Sequence, residues 1–160
     1  YVEENIYGNP TMLDGCIKMV LSYFLDNKID KKIDDPINHP INLDQVVDDG
    51  FGFALYCKGF QFGDSETTLF LAYSFSDFLI KKYGFKLYKD NQPEFPLRSL
   101  TLKYDQNGVV LSIYPFEYAL KVLNYEATFE DLYNKIETNI GKMPGITDLV
   151  DKYINQKDEE

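Results

Sequence analysis

Reactive side chains are few in this 160-residue chain, and the rarest of them is the single histidine, His39. It stands between Asn38 and Pro40, and no potential ligand or catalytic partner follows it at helical spacing. A structural zinc site needs four closely arranged ligands. His39 with Cys16 and Cys57 supplies only three, without a recognisable spacing. We therefore expect a solvated loop histidine and no metal site.

The two cysteines, Cys16 and Cys57, are too few for a disulfide framework. Two interpretations stay open: a single bridge between them, or two small buried hydrophobic residues. Cys16 falls in the apolar stripe of a predicted helix, which favours the buried interpretation. Because apolar surroundings raise the pKa of a thiol, a Cys–His dyad with His39 is not expected.

Two adjacent carboxylate pairs, Asp34 with Asp35 and Asp48 with Asp49, are the other candidates for chemistry. A calcium loop needs oxygen ligands at alternating positions, a glycine and a closing glutamate, and neither pair has that series. An acid–base pair must converge on a pocket, which spacing alone does not reveal. Catalysis, metal binding and a charged surface all stay open, and the surface is favoured.

Motifs for phosphate binding and for nucleophilic catalysis are missing. Gly50-Phe51-Gly52 is too short for a dinucleotide fingerprint and precedes no βαβ unit. No Gly-x-Ser-x-Gly segment occurs. The 13 tyrosines include several at helical spacing, which is typical of the edge of a core rather than of a ligand surface. We therefore expect no catalytic residues and no cofactor, and a protein that works by binding.

The elements that position these residues begin with a helix. After an irregular lead-in over residues 1–9, apolar residues recur at three- and four-residue spacing, which predicts a helix from Pro10 to about Asn27. Residues 26–42 follow as a charged linker. Its prolines favour an extended chain and keep the neighbouring helices out of it.

A second helix is predicted from Leu43, because Asn42 followed by Gln45 has the pattern of a capping box. The helix then carries an apolar face as far as Cys57. Gly50 and Gly52 each weaken it by about 1 kcal/mol relative to alanine. They indicate either a break in the helix or a close crossing with another one.

A third helix should be capped by Asp64 or Ser65 and end near Tyr83, where Gly84 provides a C-terminal cap. It is apolar over more than half of its circumference. This pattern predicts the central helix, packed on both sides.

The hydrophobic period then changes to two, which predicts strands. A short strand is expected near residues 85–88, and a hairpin over 100–113 turns at Asn107-Gly108, the strongest short hairpin signal. Pro115 opens a helix, and Thr128 with Asp131 caps another. A last short helix is expected over 147–154.

These elements predict an α+β fold with N-terminal helices, a small antiparallel sheet centred on the hairpin 100–113, and C-terminal helices. The length suits one domain, predicted over 1–156, followed by a charged tail over 157–160. No apolar run approaches the roughly 18–20 residues that cross a bilayer. We therefore expect a protein that is not transmembrane.

The charge is strongly acidic, at −10. A field of this sign repels phosphate backbones, so no nucleic-acid partner is expected. Residues 26–50 contain seven Asp against three Lys, and the C-terminal third is acidic too. The charge favours a basic partner, although solubility alone also explains it.

The segment from residue 100 to 140 carries the most distinctive pattern: a hairpin closing on Ser112-Ile113-Tyr114-Pro115-Phe116, a helix with Ala119 to Leu123, and the run Phe129-Glu130-Asp131-Leu132-Tyr133-Asn134-Lys135-Ile136. With the aromatic helix 65–83 before it, this half of the chain resembles a group of small bacterial domains of unknown function. In size, charge and build, the chain is also similar to immunity proteins encoded beside secreted bacterial toxins. The resemblance carries no functional residue to this chain.

We therefore expect a non-enzymatic acidic binding protein, in the first place an immunity or inhibitor protein that occludes a basic bacterial toxin. The alternative is an exported domain, periplasmic or derived from a lipoprotein, that binds a small ligand or an envelope component. Because the sequence starts at Tyr1 without a leader, either a signal peptide was removed or the sequence was trimmed. A cytoplasmic and a periplasmic location both stay open, as does the oligomeric state. The predicted partner-binding residues are Asp30, Asp34, Asp35, Asp44, Asp48 and Asp49.

Overall fold

The computed structural model of the chain describes residues 2–142. The predicted helix over 147–154 and the charged tail over 157–160 lie outside the described residues. Within residues 2–142 the fold is α+β as predicted, with six α-helices and one four-stranded antiparallel sheet. The helices are α1 Pro10–Asp26, α2 Pro40–Asp48, α3 Phe53–Gly59, α4 Asp64–Tyr83, α5 Pro115–Leu123 and α6 Phe129–Lys142, and the strands are β1 Val2–Glu3, β2 Lys86–Lys89, β3 Leu100–Gln106 and β4 Val109–Ile113.

Helix α1 begins where the sequence predicted. The Asn9 side chain accepts a hydrogen bond from the Met12 amide at 3.2 Å, and Pro10 occupies the first turn, where a missing N–H costs nothing. The apolar stripe of the helix, which includes Cys16 and Tyr23, is buried in the core. The predicted helix is therefore confirmed.

The predicted start of the second helix at Leu43 is wrong. Helix α2 begins at Pro40, and the Nδ1 atom of His39 caps it by accepting a hydrogen bond from the Ile41 amide at 3.1 Å. Asn42 and Gln45 form no capping box, because both side chains are buried and bond to the preceding loop instead. Two residues with the spacing of a capping box therefore make contacts with the preceding loop and do not cap the helix.

The two glycines after α2 break the helix, as one of the two predicted alternatives had it. Gly50 and Gly52 have φ values of 71° and 106°, a backbone region that L side chains rarely adopt. The chain therefore turns between α2 and α3. The hydroxyl of Tyr23, a fully buried residue of α1, fastens this turn: it donates to the Asp49 carbonyl and accepts from the Gly52 amide at 2.9 Å.

Replacing Gly50 with alanine is expected to lower the free energy of unfolding by roughly 1–3 kcal/mol. The new β carbon would lie 2.7 Å from the Tyr23 hydroxyl oxygen, on a backbone with positive φ. Gly15, inside α1 with nothing within 4 Å of a β carbon, is the matched control. Gly15→Ala should raise stability by up to about 1 kcal/mol. Urea unfolding measures both, and equal effects of the two replacements would contradict the prediction.

Helix α4 is the central helix, as predicted, and packs against α1 on one side and α5 on another. It begins at Asp64, so the residue before it, Gly63, holds the capping position rather than Asp64 or Ser65. The Glu66 side chain reaches back to accept from the Gly63 amide at 3.0 Å. Gly84 ends the helix with φ 84°.

The sheet has the order β1-β2-β3-β4, with each neighbouring pair antiparallel. The hairpin of β3 and β4 turns at Asn107 and Gly108, whose φ values of 56° and 80° confirm the predicted turn. Strand β1 was predicted as irregular lead-in. Its two residues are too few to show a period of two, so only pairing with β2 reveals it.

Of the remaining helices, α5 packs against β3, and α6 packs against α2. Thr128 caps α6 as predicted, because its Oγ1 accepts from the Asp131 amide at 3.1 Å. Phe129, at the start of α6, is fully buried and its ring centroid lies 4.9 Å from that of Phe75 in α4. None of the helices between residues 2 and 142 is long and apolar enough to cross a membrane.

Candidate functional site

The predicted acidic linker is a loop that two buried side chains of α2 hold in shape. The Asn42 amide donates to the carbonyls of Ile33 at 2.8 Å and Ile37 at 3.1 Å, and its oxygen accepts from the Ile33 amide at 3.1 Å. The Gln45 amide donates to the Asp30 carbonyl at 2.9 Å. The loop therefore has a fixed course over the surface of α2.

Three of the predicted partner-binding residues, Asp30, Asp34 and Asp35, are exposed on this loop. The same loop exposes three lysines, at positions 28, 31 and 32. Since three negative and three positive charges cancel, the loop carries no net formal charge. The acidic excess that the sequence shows for residues 26–50 must therefore lie elsewhere.

Asp44 was predicted as a partner-binding residue, but the structure buries it, with only 9% of its surface exposed. Its carboxylate accepts hydrogen bonds from the amides of Phe129 at 2.7 Å and Glu130 at 2.9 Å, at the start of α6. It therefore caps a helix that begins 85 residues later. The prediction that Asp44 lies on an exposed acidic surface is therefore wrong.

The exposed acidic excess lies at the other end of α2. Asp48 is exposed and Asp49 is half-buried, immediately before the turn at Gly50. Asp26 is also exposed, and its carboxylate accepts a hydrogen bond from Tyr56 of α3. Glu126, exposed after α5, adds a fourth carboxylate. These four residues, Asp26, Asp48, Asp49 and Glu126, are named here the acidic border.

An apolar concavity of about 240 Å³ is lined by residues next to this border in the chain, Val47 and Phe51 beside Asp48 and Asp49 and Tyr125 beside Glu126, and by none of the four carboxylates themselves. Phe51, Leu55 and Tyr125 line it, and they are 55%, 59% and 74% exposed, respectively. These three residues are named here the apolar groove. One cation, Lys58, is among the described residues that line it. Large apolar side chains gathered at one exposed concavity are typical of an interaction site.

The two aromatic residues of the apolar groove lie in turns where the backbone has positive φ values. Phe51 sits between two glycines with positive φ, and its ring centroid lies 6.0 Å from that of Tyr23 and 6.2 Å from that of Tyr56. Tyr125 has φ 62°, which costs free energy for a bulky residue. This φ belongs to the C-terminal cap of α5, in which the Tyr125 amide donates to the Val122 carbonyl at 3.0 Å and the Glu126 amide donates to the Lys121 carbonyl at 2.9 Å.

His39 was predicted as a solvated loop residue, and this is wrong. It is half-buried, caps α2, and packs its ring against Phe78 and Tyr133 with centroids 5.1 Å and 5.2 Å away. Burial, followed by the charge of Lys82, lowers the pKa of His39. The ring is therefore neutral at neutral pH.

The cysteines are both free and buried, which confirms the interpretation as small hydrophobic residues. Burial raises the pKa of Cys16 and of Cys57 to about 11, so neither thiol is a ready nucleophile. Across residues 2–142, no three His, Cys, Asp or Glu side chains are grouped in a way that could hold a metal ion.

Sequence reasoning missed the apolar groove altogether. Phe51 had one visible signal, since an aromatic residue between two glycines cannot be part of a regular helix face. Tyr125 had none, because nothing in the sequence shows that the cap ending α5 places a tyrosine, rather than a glycine, at positive φ. Comparisons with protein-family models, with curated proteins and with solved structures match this chain to none of them.

Proposed function

We propose that this chain is a non-enzymatic binding protein whose apolar groove and acidic border take up a basic protein partner. The observation that carries the proposal is the exposure of Phe51, Leu55 and Tyr125 around one concavity. Solvation of large apolar side chains is unfavourable, by about 25 cal/mol for each Å². A partner that covers the groove recovers that free energy.

The chemistry of the partner follows from the charges around the groove. Four carboxylates form the acidic border, against Lys58 in the groove itself. The chain as a whole carries −10. Complementary charge accelerates encounter and fixes the orientation of the partner, while buried aromatic residues supply most of the affinity. The fitting partner presents lysine or arginine around an aliphatic or aromatic anchor.

Inhibition by occlusion is the form of this function that we favour, with a basic bacterial toxin as the partner. An immunity protein needs an exposed, charged surface and no reactive side chains. The raised thiol pKa values and the capping role of His39 agree with that requirement. An exported domain that binds a small ligand or an envelope component is the second candidate, and the cavity beside His39 favours it.

Phe51→Ala is expected to raise the dissociation constant for the partner by roughly 10- to 100-fold, because the groove loses its central ring. The partner is captured from extract of the source organism, identified by mass spectrometry, purified and titrated by calorimetry. Affinity should fall with added salt, since the acidic border is exposed.

Phe95→Ala is the matched control, because Phe95 is equally exposed, at 56%, and stands after β2, outside the groove. Its dissociation constant should match that of the wild type. Equal losses in the two variants would contradict the assignment of the groove. A captured partner that is acidic, or an affinity that salt does not change, would contradict the role of the acidic border.

A further inference from the structure

A second concavity, of about 340 Å³, lies between residues 36–39 and the last two turns of α4. Pro36, Phe78 and the ring of His39 contribute apolar surface to its lining, and Lys81 and Lys82 contribute cations. This size is within the range of small-molecule sites. Lysines in the last turn of a helix also offset its negative end, but that role requires no cavity beside them.

The ring of His39 offers the cavity one hydrogen-bond donor. Its Nδ1 accepts from the Ile41 amide at 3.1 Å, so the proton of the neutral ring is on Nε2. Within residues 2–142, no hydrogen-bond partner is found for Nε2. The tautomer is therefore set by the cap of α2, and the ring can donate to a ligand but not accept from it.

The two lysines offer further donors. The Lys81 ammonium lies 3.3 Å from Asp77, and the Lys82 ammonium lies 2.8 Å from Glu137 and 2.5 Å from the Tyr133 hydroxyl. An ammonium has three donors, so these contacts leave two on Lys81 and one on Lys82.

The carboxylate in the lining of the cavity does not counter these donors. Asp77 is only 2% exposed and already accepts from the Tyr7 hydroxyl at 2.6 Å and from the Asn38 amide at 2.9 Å, besides its contact with Lys81. Both of its oxygens are therefore occupied by neutral donors, whereas 66% of the Lys81 side chain beside it is exposed. An incoming ligand meets donors and apolar surface in this cavity.

We propose that the cavity between residues 36–39 and the end of α4 binds a small carboxylate with an aromatic body. The body would pack on Phe78 and Pro36, and the carboxylate would accept from His39 Nε2 and the two ammonium groups. Charge-assisted bonds of this kind are about twice as strong as neutral ones. The cavity lies at the N-terminal end of α2 and the apolar groove at the other end, and no described residue lines both.

The test is a nuclear magnetic resonance titration of the full chain with naphthalene-2-carboxylate, its neutral amide, and naphthalen-2-ylmethylamine. The carboxylate should give saturable shifts at the His39 and Phe78 rings, and the other two probes should bind at least about tenfold more weakly. Equal binding of the amide, tighter binding of the amine, or no saturation with any probe would overturn the proposal.

Variants locate the contact. Lys81→Met and Lys82→Met should each raise the dissociation constant of naphthalene-2-carboxylate about tenfold. Lys18→Met is the matched control, because Lys18 is an exposed lysine of α1 paired with Asp14. His39→Asn keeps an oxygen that can cap α2, and it should weaken binding while circular dichroism stays unchanged. A loss with Lys18→Met equal to that of the other lysines would overturn the assignment.

Discussion

Replacing Asn42 with alanine is expected to lower the free energy of unfolding by about 3–4 kcal/mol, measured by urea denaturation at neutral pH. The side chain is fully buried, and it satisfies one amide and three carbonyls of the preceding loop: those of Ile33, Pro36 and Ile37. Alanine removes all four bonds at once. A buried polar group without a partner costs roughly 1–3 kcal/mol, and partial access of water to the loop reduces the sum.

Asn42→Asp distinguishes the effect of losing the hydrogen-bond donors from the effect of losing side-chain volume, because aspartate has nearly the shape of asparagine. It keeps the oxygen that accepts from the Ile33 amide but places a carboxylate oxygen against the three carbonyls. We expect a loss comparable to that of alanine at neutral pH. Wild-type stability of Asn42→Asp would contradict the argument from donors.

Asn91→Ala is the control for the residue type, since Asn91 is exposed in the loop after β2. It should change stability by less than about 0.5 kcal/mol. The partner affinity gives a second control, because the apolar groove lies at the other end of α2. In protein that remains folded, Asn42→Ala should leave that affinity unchanged, and a loss as large as that of Phe51→Ala would place the partner on the loop instead.

The helices and the hairpin were predictable because their signals are local. The spacing of apolar residues in α1 and α4, the terminating Gly84, and Asn107-Gly108 each act within a few residues along the chain. Packing then reinforces what the local pattern favours, as with the buried stripe of α1.

The functional surfaces were harder to predict because their signals are tertiary. Asn42 and Gln45 have the residue types and spacing of a helix cap. Their side-chain amides instead donate to backbone carbonyls of the loop before α2. Asp44 is acidic and follows a charged linker, so the sequence indicates an exposed residue. It is buried because its carboxylate accepts from the Phe129 amide at the start of α6, which the sequence does not show. The apolar groove joins residues from two distant segments, and no spacing connects Phe51 with Tyr125.

Asp44 should make stability depend on pH in a direction opposite to that of an ordinary paired carboxylate. Burial raises its pKa from 3.8 to about 6, and the amide bonds from Phe129 and Glu130 oppose that rise only in part. The native state therefore binds the proton more tightly than the unfolded chain. This contribution to folding is complete below pH 3.8 and is lost as the pH rises through about 6.

Comparison of the wild type with Asp44→Asn isolates this effect, because all other titrations are shared by the two chains. Those of Glu117 and Glu137, whose pKa values are lowered by Arg98 and Lys82, have the opposite sign. The stability of the wild type relative to the variant should fall by about 2–3 kcal/mol between pH 4 and pH 7, measured by urea unfolding.

Asp34→Asn is the matched control, because Asp34 is exposed and makes no hydrogen bond within residues 2–142. A similar slope in that variant would assign the trend to the overall charge of −10 rather than to Asp44. A slope of opposite sign for Asp44→Asn would mean that the start of α6 stabilises the carboxylate more than burial disfavours it. In that case the contact between α2 and α6 would stabilise the fold most at neutral pH. The raised pKa of Asp44 predicts the reverse, that this contact stabilises the fold least at neutral pH.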